Sequence, residues 1–180
     1  MALPVPLDSA ISDLVGVHAA VGVGGAGKIA VQILLVIIGR GGRAQRSGGA
    51  RLIAQGHRRL GLVPAVRLNG SSDLPWERLH PDLFAEFPNV QFFDYTKVPA
   101  RMERFLKDPT WPKNYHLTFS AQPHNHDAAR NFLDQGGTVA VVFWPEVPQS
   151  HWGKPVIDGD KHDARFLDQA GTIVMVPRGG

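Results

Sequence analysis

The feature that most constrains the fold is an alternation of strand-like and helix-like segments that begins at residue 63. The strand-like segments are rich in β-branched and aromatic residues, and they are 63–68, 90–95, 115–120, 138–144 and 171–177. Helix-like segments separate several of them, at 75–87, 98–107 and 127–135. This alternation predicts an α/β, mixed α+β fold in which at least some strands run parallel.

A chain of 180 residues with 43% hydrophobic positions is long enough to bury a core, and we expect a single domain over residues 1–180. Within it we distinguish a basic, Gly/Arg-rich N-terminal part (14–72) from an α/β core (63–180). The absence of cysteine excludes disulfide bonds and thiolate metal ligands. The apolar run 29–38 is too short to cross a bilayer, so we expect no membrane span.

The charges are unevenly distributed, because no Asp or Glu lies between Asp13 and Asp73 while that segment is rich in arginine. An acid-free basic segment is the electrostatic pattern of a surface that meets DNA, RNA or an anionic membrane. We therefore assign contact with the DNA backbone to Lys28, Arg40, Arg43, Arg46, Arg51, Arg58 and Arg59. The alternative interpretation is a basic face that contacts only solvent.

The stretch GVGGAGKI (22–29) fits two phosphate-binding patterns, but each lacks its second element. A P-loop needs Ser or Thr where Ile29 stands, and a dinucleotide site needs an acidic residue about twenty positions later, in a region that has none. We therefore interpret the stretch as a positively charged, glycine-rich turn, with Lys28 available to a DNA phosphate.

Histidines form the next candidate group. His124 and His126 are two residues apart, His116 lies in the preceding strand-like segment, and Asp127 follows. Imidazole and carboxylate groups are metal ligands, so these side chains are candidates for the centre of a metal-dependent hydrolase if the loop folds back on the strand. The alternative is a polar loop in which Asp127 caps the helix at 127–135.

A third group lies between residues 153 and 168, where a short strand is expected to end in a turn at Asp158-Gly159 and to be followed by a helical first turn. Backbone N–H groups at a helix start, together with cationic side chains, bind phosphate. We assign nucleotide binding to Asp158, Gly159, Lys161, His162 and Arg165, and catalysis to Asp158, Asp160, His162 and Arg165. The carboxylates of this stretch, Asp163 included, are candidates to hold a divalent ion such as Mg²⁺. The alternative is a charged surface turn.

This stretch resembles the nucleotide-binding signature of the ParB/sulfiredoxin superfamily. In that signature a strand delivers a D-G-x-H-R or G-G-x-H-R turn, and a helix and a closing strand follow. Ile157-Asp158-Gly159, His162 and Arg165 stand in those roles, and TIVMV (172–176) is the closing strand. Asp163-Ala164 separate the His and Arg that are adjacent in the superfamily, and the reductase cysteine of sulfiredoxin is absent.

The segments RLNGSSD, VQFFDYTK, NYHLTFS, VAVVF and VIDGDKHDARFLD also resemble plasmid- and phage-encoded fertility-inhibition proteins of the oncogenic-suppression type. That resemblance implies a ParB/sulfiredoxin-like core, a place in the bacterial cytoplasm, ATP as cofactor, ATP hydrolysis and nuclease activity on DNA. It also implies that the protein blocks the transfer of competing DNA through a type IV secretion system. The alternatives are a non-enzymatic inhibitor that binds DNA or the secretion machinery, and the histidine-based hydrolase.

Overall fold

The computed structural model describes residues 17–24, 27–34, 65–70, 72–160 and 163–176. The first two ranges form an antiparallel hairpin of β1 (Val17–Gly24) and β2 (Gly27–Leu34), in which Gly24 lies opposite Gly27. The described residues of the glycine stretch, 22–24 and 27–29, therefore lie in the two paired strands of a hairpin. A P-loop and a dinucleotide motif both lead from the glycines into a helix, whereas these glycines lead into a strand.

The remaining described residues contain the predicted alternation. The strands are β3 (Ala65–Arg67), β4 (Gln91–Thr96), β5 (Tyr115–Ser120), β6 (Thr138–Val142), β7 (Ser150–His151), β8 (Lys154–Asp158) and β9 (Ile173–Val176). The helices are α1 (Trp76–Leu79), α2 (Pro81–Glu86), α3 (Pro99–Lys107) and α4 (His126–Asp134), with a single 3-10 turn at Arg165–Leu167. This arrangement confirms the predicted α/β fold.

These seven strands form one mixed sheet in the order β3-β4-β5-β6-β9-β8-β7. Every neighbouring pair runs parallel except β7 and β8, which are joined as an antiparallel hairpin. The last strand, β9, is inserted between β6 and β8. The carboxyl ends of β3, β4, β5, β6, β8 and β9 therefore meet at one edge of the sheet, here called the carboxyl edge.

The main core lies on the sheet face that packs against the helices. Alternate strand residues such as Phe92, Tyr115 and Phe119 are buried there with Phe84 of α2 and Phe132 of α4. These rings make close aromatic contacts, including a stacked pair of Phe84 and Tyr115 whose ring centroids are 4.7 Å apart. The aromatic residues from which strands β4 and β5 were predicted are therefore the residues that pack against the helices.

The opposite sheet face is covered by the connection from β8 to β9. Phe166 in this connection packs on Phe93 of β4 at 5.5 Å between ring centroids, beside the buried residues Ala65 and Ala164. The connection thus crosses the sheet from β8 to the strands β3 and β4. It carries the stretch that the sequence predicted to bind nucleotide.

Two helix predictions need correction. The segment 75–87 forms two short helices, because Pro81 lacks an N–H group and forces His80 to a φ of −144° outside the helical range. The helical first turn expected near Arg165 is only the 3-10 turn, closed by bonds such as that from the Leu167 N–H to the Ala164 carbonyl at 3.0 Å. No helix among the described residues is long and apolar enough to cross a membrane.

Candidate functional site

A cavity of about 460 Å³ opens at the carboxyl edge of the sheet. Its lining comes from the ends of β3, β4, β5 and β9 and from the β8–β9 connection. The lining residues are Arg67, Asn69, Gly70, Ser72, Asp73, Tyr95, Lys97, Ser120, Asp163 and Val176. In open sheets of parallel strands, ligands characteristically bind outside the carboxyl ends of the strands, so this cavity is the leading candidate site.

Four side chains form what we call the outer layer of the site: Arg67, Tyr95, Lys97 and Asp163. The carboxylate of Asp163 accepts a hydrogen bond from the Tyr95 hydroxyl at 2.8 Å and pairs with Arg67 Nη1 at 3.2 Å. The Arg67 guanidinium also lies over the Tyr95 ring, 4.7 Å from its centroid. Asp163 therefore connects the β8–β9 connection to the ends of β3 and β4.

The groups of the outer layer have fixed hydrogen-bonding roles. Burial, reinforced by the charge of Asp163, raises the pKa of Tyr95 above its usual value, so the hydroxyl keeps its proton and donates it to Asp163. Lys97 is exposed, and no described carboxylate lies within ion-pair distance of its ammonium group. The outer layer thus presents one cation already paired with a carboxylate and one cation open to a ligand.

Beneath the cavity lies a second group, here called the buried layer: Asn69, Glu77, Asp94, Arg101 and Tyr115. Asn69 is its link to the cavity, because its side chain bonds to three different parts of the structure. The Asn69 amide oxygen accepts from Trp76 Nε1 at 2.9 Å and from the Leu74 N–H at 3.2 Å, while its Nδ2 donates to Asp94. These bonds fix the loop that follows β3 and lines the cavity.

Asp94 accepts three hydrogen bonds although it is buried in the sheet. Its donors are the Asn69 N–H at 2.7 Å, the Asn69 Nδ2 at 3.1 Å and the Tyr115 hydroxyl at 2.6 Å. Burial raises the pKa of Asp94 to about 7, although the bonds from Tyr115 and Asn69 act in the opposite direction. A proton at Asp94 is therefore gained or lost near neutral pH, directly below the cavity floor.

Arg101 on α3 supplies the positive charge of the buried layer. Its guanidinium pairs with Glu77 at 3.1 Å and with Asp73 at 2.7 Å, and it also donates to the Tyr115 hydroxyl. The other oxygen of Asp73 accepts from the Lys97 N–H at 2.7 Å and from Thr96. Asp73 therefore joins the buried layer to the cavity lining.

The sequence-predicted nucleotide residues occupy the neighbouring loop. Asp158 and Asp160 are exposed, and an Asp158 oxygen accepts the Asp160 N–H at 2.9 Å. A Cβ at Gly159 would overlap the carbonyl oxygen of Met175 on β9, so the glycine allows the two strands to pair closely. Lys161 and His162 lie outside the described residues.

Arg165 is buried, with a relative exposure of 1%. Its guanidinium pairs with Asp168 at 3.3 Å and reaches the Gly159 carbonyl at 3.5 Å. The arginine therefore anchors the β8–β9 connection from within, and among the described residues of this connection Asp163 lines the cavity.

The three histidines of the hydrolase alternative lie in different surroundings. His116 on β5 packs against Phe105 at 5.3 Å, His124 is exposed, and His126 packs against Trp152 at 5.1 Å. Burial lowers the pKa of His116 to about 4. Among the residues that the structure describes, no group of three or more His, Asp or Glu side chains is close enough to hold a metal ion.

The carboxylates that could hold Mg²⁺ differ in whether their oxygens already accept hydrogen bonds from the protein. Both oxygens of Asp163 are hydrogen-bonded to protein groups, and so are both oxygens of Asp73. Mg²⁺ uses one or two carboxylates together with waters and the phosphates of a nucleotide. Among the predicted ligands, Asp158 and Asp160 are the exposed carboxylates and fit such an arrangement better than Asp163 does.

The predicted DNA contacts lie almost wholly outside the described residues. Lys28 is placed in β2 opposite Val23, and its side chain is not described. The predicted arginines, which are Arg40, Arg43, Arg46, Arg51, Arg58 and Arg59, lie in segments outside the described residues.

Sequence reasoning missed most of the cavity. It did not single out Asn69, Tyr95 or Asp73 as functional residues. The available signal was a set of polar residues at the ends of predicted strands, since Asp94 lies within VQFFDY and Asn69 follows VPAVRL. In a sheet of parallel strands the carboxyl ends lie at one edge, so polar residues at those ends come together there.

Comparison with known families gives one finding. Residues 50–180 match the sequence model of a family described as gene product 88. No curated protein and no solved structure matches the chain. The matched range includes every residue of the outer and buried layers.

Proposed function

The chain belongs to the gene product 88 family, and we propose that it is a DNA-acting enzyme that binds and hydrolyses a nucleotide in the cavity at the carboxyl edge. One observation carries the proposal. The stretch expected from its sequence to bind nucleotide contributes Asp163 to the same cavity that Arg67 and Lys97 line. The sequence pattern and the sheet geometry therefore point to adjoining parts of the molecule, the β8–β9 connection and the cavity that its Asp163 lines.

The charges of the cavity suit a phosphorylated ligand. Phosphoryl transfer depends mainly on positioning and on stabilising negative charge, with little covalent chemistry by the protein. Lys97 is an open ammonium group at the end of β4, and Arg67 is a guanidinium held against Tyr95. In the proposed complex these two cations contact the phosphates, and Asp163 keeps the guanidinium oriented.

Hydrolysis in this proposal is attack of a water molecule on the terminal phosphorus, with cleavage of the bond to the leaving phosphate oxygen. A divalent ion bound with the nucleotide supplies further charge neutralisation. Asp158 and Asp160 would hold that ion, because both carboxylates are exposed on the loop that leaves β8. Arg165 serves as a positioning residue that fixes this loop through Gly159 and Asp168.

The wider role that we propose is inhibition of plasmid transfer. It follows from the resemblance to fertility-inhibition proteins and from the acid-free basic segment, which suits binding to a DNA backbone. The enzyme would act on DNA that is being exported through a type IV secretion system. A protein that binds nucleotide and DNA but hydrolyses neither would instead be a non-enzymatic inhibitor of the same process.

The test compares two exposed lysines. Lys97→Ala removes the open cation of the cavity, whereas Lys113→Ala removes an exposed lysine just before β5, at the opposite edge of the sheet. We expect Lys97→Ala to weaken binding of a non-hydrolysable ATP analogue by roughly 10- to 150-fold, because a charge-assisted contact contributes about 1.5–3 kcal/mol. Isothermal titration calorimetry measures this directly. Equal affinities of the two variants for the analogue would show that the nucleotide does not bind in the cavity.

A further inference from the structure

The cavity at the carboxyl edge has a mainly polar lining. Small-molecule pockets are lined mostly by hydrophobic and aromatic side chains, with a few polar groups that fix the orientation of the ligand. In the described part of this lining Val176 is the one aliphatic residue and Tyr95 the one aromatic residue, and the rest is polar or glycine. A planar, largely apolar base therefore finds little matching surface there.

The Tyr95 ring is the surface in this lining on which a base would stack, and Arg67 covers it. The guanidinium carbon lies 4.7 Å from the ring centroid. Arg67 Nε donates to the Asn69 carbonyl at 3.0 Å and Nη1 donates to Asp163 at 3.2 Å, so the guanidinium is fixed over the ring. A base that stacks on this face of the ring has to displace a guanidinium held by two hydrogen bonds.

Asn69 carries the amide that would read the edge of a base, because amide side chains recognise bases through paired donor and acceptor bonds. Its Oδ1 accepts from the Ser72 hydroxyl at 2.9 Å, besides the bonds from Trp76 and Leu74. Its Nδ2 donates to the Leu74 carbonyl and to Asp94, each at 3.1 Å. Both Nδ2 hydrogens are thus used within the protein, and the amide has none to offer to a ligand.

The carboxylates of the lining are also bonded to protein groups. One oxygen of Asp73 accepts from Arg101, and the other accepts from Thr96 and from the Lys97 N–H. Both oxygens of Asp163 accept from other members of the outer layer. An amino group of adenine or cytosine has to compete with these donors. The ammonium group of Lys97, in contrast, is open to an anionic oxygen, with which it forms a charge-assisted bond.

From these contacts we infer that the cavity binds the triphosphate chain of the nucleotide and does not select the base. Its ligands are nucleoside triphosphates as a class, and inorganic tripolyphosphate binds in the same place. A site rejects an analogue strongly when its polar groups lose bonds to the missing part, so a part that the site does not bond contributes little to selection. The inference rests on the proposed function, because it states which part of the nucleotide the cavity recognises.

The test is a series of ligands titrated calorimetrically into the full-length chain without divalent ions. The series consists of ATP, GTP, CTP, UTP, inorganic tripolyphosphate and adenosine. We expect the four nucleotides to bind within about 3-fold of one another, because a base that the site does not bond adds little discrimination. Tripolyphosphate should bind at least as tightly as ATP, and adenosine should not displace ATP.

Lys97→Ala and its control Lys113→Ala show whether the ligands share the cavity. Lys97→Ala should weaken ATP and tripolyphosphate by a similar factor, because both lose the same contact. Lys113→Ala should leave both affinities unchanged. A tripolyphosphate bound instead by the arginines of residues 40–59 would not respond to Lys97→Ala.

Three results would overturn the inference while the proposed nucleotide site remains, provided that ATP still responds to Lys97→Ala. They are a preference of more than about 10-fold for one base, displacement of ATP by adenosine, and binding of tripolyphosphate that is more than about 10-fold weaker than that of ATP or is unaffected by Lys97→Ala. Equal effects of Lys97→Ala and Lys113→Ala on every ligand, or no binding by any ligand, would instead reject the cavity as the nucleotide site, and the inference with it.

Discussion

The outer layer and the buried layer of the carboxyl edge contain the same kinds of charged groups, yet they are organised differently. In the buried layer the Arg101 side chain is 4% exposed and pairs with two carboxylates. The Asn69 side-chain amide donates a hydrogen bond to the Asp94 carboxylate. In the outer layer Arg67 and Asp163 are 23% and 27% exposed, and Lys97 is open. The buried charges therefore hold the structure, and the outer charges are the ones available to a ligand.

This difference shows how the fold supports a site on short strand ends. β3 has only three residues, and the loop after it would be poorly held by backbone pairing alone. The Asn69 side chain fixes that loop to Trp76 and Asp94 instead. A ligand-binding group works best when its supporting residues are locked by packing and hydrogen bonds.

The largest expected effect comes from breaking the buried layer. Arg101→Met removes the guanidinium and leaves Glu77, itself 1% exposed, with the partly exposed Arg104 at 3.4 Å as its remaining cationic partner among the described residues. Removing one partner of a buried ion pair costs about 3–5 kcal/mol, because the remaining charge stays desolvated. We expect urea unfolding to show a loss of this size in the free energy of unfolding.

The control for this variant lies on the same helix. Lys107→Met removes an exposed lysine that pairs with Glu103 at 2.8 Å, and an exposed pair of this kind contributes about 0.3–0.5 kcal/mol. The double variant Arg101→Met with Glu77→Gln should recover part of the loss, since it also removes the stranded charge. Equal effects of Arg101→Met and Lys107→Met would contradict the structural role assigned to the buried layer.

An effect of intermediate size is expected in the pH dependence of the free energy of unfolding. Burial raises the pKa of Asp94 to about 7 from 3.8, so the stability it contributes is full below pH 3.8 and is lost as pH rises through 7. Burial lowers the pKa of His116 to about 4 from 6.5, so its contribution is present above pH 6.5 and is lost as pH falls through 4. Between pH 4 and 6.5 the two contributions oppose each other.

His116→Phe should expose the contribution of Asp94. Its free energy of unfolding, relative to wild type, should fall as pH rises from 4 to 6.5, by up to about 1.4 kcal/mol per pH unit. Denaturant unfolding at several pH values measures this slope. His124→Phe changes an exposed histidine and should follow the wild-type curve. A His116→Phe curve parallel to wild type would show that His116 does not titrate as assigned.

Most strands of the mixed sheet, most of the helices and the parallel character of the sheet were predictable from the sequence, whereas β1, β2 and β7 were not predicted. Tyr115–Ser120 has the predicted bounds, Pro99–Lys107 begins one residue later than predicted, and His126–Asp134 is shifted by one residue at both ends. These segments carry strong apolar periodicity, which depends on local sequence alone. The division of 75–87 at Pro81 was also available from local chemistry.

The composition of the site was less predictable, because it depends on which strands become neighbours. Asp163 and Arg67 are far apart in sequence and meet only because the β8–β9 connection crosses the sheet. Arg165 fits the phosphate-binding pattern by its residue type, yet its side chain turns inward to Asp168. A short charged motif gives no information on which of its members faces the interior.

The smallest expected change in stability belongs to the outer layer, and Asp163→Asn tests it. An asparagine keeps an oxygen that can accept from Tyr95, and the lost ion pair with Arg67 is partly exposed, so stability should fall by less than about 1 kcal/mol. Removal of the carboxylate also removes its repulsion toward phosphate, and we expect this gain to exceed the loss of the ion pair that orients the guanidinium. Without divalent ions, we therefore expect Asp163→Asn to bind the ATP analogue more tightly than wild type, in calorimetric titrations, and Lys97→Ala to bind it more weakly. Weaker binding by Asp163→Asn would mean that the carboxylate itself contacts the ligand, and a large loss of stability would place Asp163 with the buried layer.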